Sequence, residues 1–218
     1  MPCNLREGSN KTYEETGASR VWLAGSKADD GKRFCTLQII VRGANGPRDA
    51  PRCGQPKIGV IFRGQGLRIS AEEKAAWHPD VHVRFQPKAW ADAHYCLEHA
   101  KFEMAEATAE ARSRNEPSLA FYDNLYGQTT EEHEAILKTR AACDRHLLPG
   151  GVTSEIQLVD DGLGAATKKE MGHQLDEFLE IDDNLEMWTA EGSGFPMWRK
   201  RAMITQLAAK VHHVQLVF

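Results

Sequence analysis

Through the first third of the chain the apolar residues fall in short, β-branched and aromatic runs separated by turn-forming clusters. Arg20–Ala24 (RVWLA), Arg33–Val41 (RFCTLQIIV) and Lys57–Phe62 (KIGVIF) predict strands. Between them lie Asp29-Asp30-Gly31, a hairpin-turn signal, and a loop over 42–55 broken by Gly43, Asn45-Gly46-Pro47, Pro51 and Gly54. This part reads as an antiparallel meander. Residues 1–19 are polar and turn-rich and predict neither strand nor helix.

From Ser70 the period changes. Ser70 with Glu73 forms a capping box before a short helix, Ala71 to Trp77, closed by Pro79. Val81–Phe85 alternates like a strand, and Pro87 suits the first turn of a helix reaching about Arg114. Its apolar stripe runs through Ala89/Trp90, Ala93/His94, Leu97, Ala100 and Met104. Ser118–Tyr122 is a strand that stops at Asp123-Asn124. Thr129 with Glu132 opens a helix over Glu131–Ala142. His146–Leu148 is a short strand halted by Pro149-Gly150-Gly151. Ile156–Val159 ends in Asp160-Asp161 ahead of a helix from about Leu163 to Leu179. Asp182-Asp183 cap a short helix holding Leu185, Met187 and Trp188, and a last helix covers Met197–Val211. The order predicts one α/β domain over residues 11–190, with a helical C-terminal tail over 191–218.

Composition narrows the class without naming a function. The 218 residues are 41% hydrophobic and 27% charged, which is ordinary for a globular domain. No apolar run approaches a membrane span, and the N-terminus lacks the apolar core of a signal peptide. Five scattered cysteines without a C-x-x-C motif point to reduced thiols inside a cell. The net charge of −4 argues against a general nucleic-acid coat. It is unevenly spread, with Arg42, Arg48, Arg52, Lys57, Arg63 and Arg68 early and an acidic stretch from Glu170 to Glu191.

The candidate chemistry sits where two apolar runs end in acid. Asp123 and Asp160, each delivered to the edge of a sheet, are a pair that can share a divalent cation such as Mg²⁺, which favours carboxylate oxygens. Their bland counterparts are a turn-forming Asp123 and an Asp160-Asp161 helix cap. His94, Cys96 and His99 look like metal ligands on paper, but His94 and His99 are five apart on a helix and point to different faces. Asp29-Asp30-Gly31 is a hairpin turn that is also the only early aspartate cluster.

Four segments in this order resemble a known family. They are Arg33–Gln38, Ile61–Ile69 (IFRGQGLRI), Phe121-Tyr122-Asp123-Asn124, and Leu148–Thr153 followed by Gln157-Leu158-Val159-Asp160. Together they resemble the DDE-superfamily endonuclease domain of pogo-, Tigger- and jerky-type transposases, related to the RNase H and retroviral-integrase fold. The likeness runs from about Lys11 to Leu207. It implies an RNase H-like mixed sheet flanked by helices. It implies Asp123 and Asp160, 37 positions apart, as catalytic and metal-binding acids for Mg²⁺ or Mn²⁺. Such sites cleave phosphodiesters with two metal ions.

Two departures qualify what the likeness implies. The family's proline before the third acid is replaced by Leu158, so Asp161 competes in register. The family's first acid, on the first strand, has no counterpart: ten residues precede Lys11 and none is an aspartate. The reading is a domain truncated at its N-terminus, with its first strand missing and cleavage impaired. It keeps weak, non-specific DNA contact through Lys57, Arg63 and Arg68, in the nucleus by family resemblance. The alternative is a domesticated, non-catalytic DNA- or protein-interaction module.

Overall fold

The computed structural model describes residues 2–3, 34–43, 56–149, 162–190 and 192–215. The strand expected at Arg20–Ala24, the Asp29-Asp30 turn and the Asp160-Asp161 pair lie outside the described residues.

The architecture is mixed α/β with two small sheets. The first has the order β1 (Pro2–Cys3), β2 (Cys35–Gln38), β3 (Ile58–Arg63), β4 (Val81–Gln86). β2 and β3 are antiparallel with Cys35 opposite Phe62, as the meander predicts. β4 then runs parallel to β3, with Arg63 opposite Gln86. The parallel crossover is made by the short helix α1 (Ala71–Ala76). Residues 1–19 were expected without a strand, yet Pro2–Cys3 pairs antiparallel with Thr36 and Cys35 along the outer edge of β2. The second sheet is a parallel pair, β5 (Ser118–Tyr122) with β6 (Cys143–Leu147).

Helices connect these strands. α2 (Ala93–Glu98) passes into a π-helical segment, His99–Glu103, then α3 (Met104–Ala107) and α4 (Ala109–Ser113). A 3₁₀ turn (Tyr126–Gln128) precedes α5 (Glu131–Ile136), which ends in a second π segment, Leu137–Ala141. α6 (Gly164–Leu179), α7 (Asn184–Thr189) and α8 (Met197–Gln215) complete the described chain.

Several boundaries differ from the sequence reading for local reasons. The long helix begins at Ala93, not at Pro87, because Asp92 caps it by accepting from the Tyr95 N–H at 2.9 Å. Residues 87–92 form a turn instead, held by the Gln86 side chain, which accepts from the Lys88 and Trp90 amides. Ala89 takes a left-handed φ of 53° there. The helix at residue 131 is capped by Thr130, which accepts from the His133 N–H, and not by Thr129. Ser70 caps α1 as expected, but Glu73 does not reach back to close the box. Its carboxylate is buried and takes both arms of Arg201, at 2.6 and 2.8 Å. Asp183 occupies an N-cap position without making a capping bond.

The main core lies between the first sheet and the last helix. Cys35, Leu37, Ile58, Val60 and Phe62 pack against Ile204, Leu207, Ala208, Ala209 and Val211 of α8. The helix expected as a C-terminal tail thus contributes to this core. On the sheet's other face Ile61 packs on Tyr95 and Cys96. A second core joins Tyr122 and Cys143 to Ala100, Met104, Leu137 and Ala141.

Candidate functional site

Side chains alternate across a strand, so β3 sends Ile58, Val60 and Phe62 toward α8 and Gly59, Ile61 and Arg63 toward α2. Arg63 is the last of these and is exposed at the strand's C-terminal end. Gln86 is its neighbour in register on β4, and Gly64 donates its amide to the Gln86 carbonyl at 3.0 Å. The Gln86 side chain in turn donates to Asp92 at 2.9 Å. Arg63, Gln86, Lys88, Trp90 and Asp92 thus belong to one knot at the carboxyl ends of β3 and β4.

Asp123 arrives at the same rim from β5. Its carboxylate accepts from the Leu125 N–H at 3.2 Å, an Asx turn that bends the chain away from the strand. The following 3₁₀ turn presses on the start of α2. A side chain on Gly127 would stand 2.9 Å from both the Ala93 Cα and the Cys96 Sγ, so only glycine permits the approach. Asn124 donates to the Leu148 carbonyl at 2.9 Å, tying the turn to the end of β6. Both acids are felt beneath the rim. Burial, then Asp92, then Asp123 push the Cys96 thiol up to about 12, so it stays protonated and unreactive.

Under Asp123 lies a buried polar layer. Tyr122 meets the His133 ring edge-on at 5.2 Å, and neither ring nitrogen of His133 has a hydrogen-bond partner. Burial, with Arg145 nearby, lowers His133 to about 4. Burial and the neighbouring His133 lower His99 to about 3. Both are neutral imidazoles at ordinary pH.

The structure treats the three expected cations differently. Lys57 precedes β3 and Arg63 ends it, which separates them by roughly 20 Å of strand. The Lys57 ammonium is paired with Glu106 at 2.9 Å, so it stands at the far end of the sheet. Arg63 and Arg68 are both exposed at the rim and neither makes an ion pair among the described residues. Gly66 packs its backbone on the Phe85 ring and brings the loop carrying Arg68 against the end of β4.

Three rim residues were not singled out from sequence. Trp90, placed in an apolar helical stripe by its spacing, stands in the turn before α2 and is 54% exposed. Lys88 lies over its ring at 5.7 Å. Tyr126, in the 3₁₀ turn next to Gly127, is 78% exposed. Glutamine and aspartate side chains, not periodicity, decide where this helix starts, so the Pro87–Asp92 turn replaces the expected first turn.

The described residues do not form a two-metal site. No group of three or more histidines, cysteines or acids stands together among them, and both carboxylate oxygens of Asp92 already accept from Tyr95 and Gln86. Asp123 accepts from the Leu125 N–H at the rim, and Asp160 lies outside the described residues. Among the described residues no helix is long and apolar enough to cross a membrane. No family model matches the chain, and no curated protein or solved structure matches it either.

Proposed function

We propose that the chain is a DDE-endonuclease-like domain of the RNase H type that contacts DNA weakly, without sequence preference, and has impaired strand cleavage. One observation carries the reading: Asp123 ends a parallel strand on a rim that also presents Arg63, Arg68 and Lys88. Phosphate contact needs cations on one face and does not need the catalytic acids. The parallel β5–β6 pair ending in Asp123 supports the fold comparison. Nuclear localisation follows from the same reading.

Mg²⁺ or Mn²⁺ would supply activation of the attacking water and stabilisation of the leaving oxygen. The two acids of the proposal are Asp123, at the end of β5, and Asp160, outside the described residues, and no cleavage step is assigned to them. The alternative is a domesticated, non-catalytic DNA- or protein-interaction module.

Titration of the chain into labelled duplex DNA, followed by anisotropy at several salt concentrations, tests the reading. The expected Kd is no tighter than about 10⁻⁴–10⁻⁶ M with a shallow salt slope. Arg63→Ala combined with Arg68→Ala weakens binding, while Lys57→Ala leaves it nearly unchanged. Equal affinity of the wild type and the double variant would overturn the rim as the contact surface. A plasmid-nicking assay with either metal is expected to show no cleavage. Activity that disappears in Asp123→Ala would reverse that part of the proposal.

A further inference from the structure

We infer that the rim is built for unpaired DNA, with Trp90 and Tyr126 as stacking platforms for bases and Arg63 and Lys88 as phosphate contacts. This rests on the DNA-contact reading above and names the form of DNA that it takes.

The first argument is the placement of the aromatic rings. Tyr95 and Tyr122, just below the rim, are buried, whereas Trp90 and Tyr126 at the rim are 54% and 78% exposed. Single exposed apolar residues need no explanation. Here two aromatic residues are brought to one rim from different loops. Trp90 is anchored through its amide to Gln86, and Tyr126 through Gly127, whose backbone lies against Ala93 three residues beyond Trp90. Their positions are fixed by the backbone, so stacking on them would require little ordering.

The second argument is charge. Arg84, one residue pair below Gln86 on the same face, is tied to the buried Glu103 at 3.1 Å, and Lys57 at the far end is tied to Glu106. At the rim, Arg63, Arg68 and Lys88 have no carboxylate partner among the described residues. The Lys88 ammonium instead stands over the Trp90 ring. Asp92 and Asp123 both stand close enough to Cys96 to raise its thiol, and these rim carboxylates disfavour a phosphate backbone running beside them. A flexible strand can turn its bases toward the acids and rings and its phosphates toward the cations. A duplex cannot do so, because its base faces are already stacked on one another.

The test uses the whole chain and an oligothymidylate of about 12 nucleotides, within the site size of single-strand binders. Anisotropy compares this strand with a duplex of equal length and with the same strand lacking its bases. The expected result is tighter binding of the single strand than of either competitor. Trp90→Ala or Tyr126→Ala is expected to weaken single-strand binding about tenfold. Trp90→Phe should retain most of the affinity, and duplex binding should change little in all three. Both positions are exposed, and an unchanged thermal melt would verify that the variants fold. Equal affinity for single strand and duplex overturns the inference and leaves weak DNA contact standing. So does equal affinity for the strand without bases, or indifference to both aromatic substitutions. Failure to bind any of the three DNAs overturns the DNA-contact reading itself.

Discussion

Among the described residues, helices cover both faces of the four-stranded sheet, whereas the β5–β6 pair is covered on one face only. In the first sheet Leu37, Ile58, Val60 and Phe62 pack on α8, and Ile61 on the opposite face packs on α2. In the second, Ala120 and Tyr122 face the helices, while Leu119 and Phe121 point outward at 57% and 64% exposure. Phe121 meets the His146 ring edge-on there, at 5.4 Å. Parallel strands are usually buried on both sides, and a two-stranded sheet has little stability of its own. The β5–β6 pair therefore depends on the helices beneath it, through contacts such as Thr108 donating to the Ala141 carbonyl at 2.7 Å. Asp123 sits at the end of the less supported unit, and Arg63 at the end of the better supported one. The candidate site is thus shared between a firm half and a more yielding half.

This contrast is open to measurement by denaturant unfolding. Phe62→Ala removes a fully buried ring between α8 and β4, and a loss of about 3–5 kcal/mol is expected. Phe121→Thr on β5 should stay within about 0.5 kcal/mol, because the ring is already largely in water. Comparable losses at the two positions would show that the outward face of β5 is covered in solution and would remove the contrast.

A smaller effect, specific to the second unit, is expected from acid. His133 is fully buried and its folded value is lowered to about 4, below the unfolded 6.5. The unfolded chain therefore binds the proton first, and stability falls as pH drops from about 6.5 to about 4, then levels off for this group. The loss amounts to roughly 3 kcal/mol at most. His133→Phe should flatten the pH profile over that range, although His99 will keep part of the slope. A profile identical to that of the wild type would show that His133 is not held neutral by its burial.

The sequence made some of these features legible and hid others for definite reasons. An apolar run ending in acid located β5 and Asp123, and Ser70 located the start of α1. Both signals are local. Spacing places Trp90 in a helical stripe because it cannot show that Gln86 captures the Lys88 and Trp90 amides and Asp92 the Tyr95 amide. The buried face of the long helix also shifts. Its π segment widens one turn, so that Tyr95, His99, Glu103 and Thr108 share a face that a regular 3.6 period would lose. The Glu73–Arg201 pair joins residues 128 apart, beyond the reach of any pattern. The parallel pairing of β4 with β3 is hidden for the same reason, since alternation fixes faces and not neighbours.

If DNA meets the molecule at the rim shared by β3, β4 and β5, as proposed, hydrogen exchange of backbone amides reads it without any substitution. Adding an oligothymidylate is expected to increase protection within residues 63–68, 87–92 and 123–127, with little change around Lys57 and Glu106. Protection confined to the Lys57 end, or spread evenly along the chain, would contradict it.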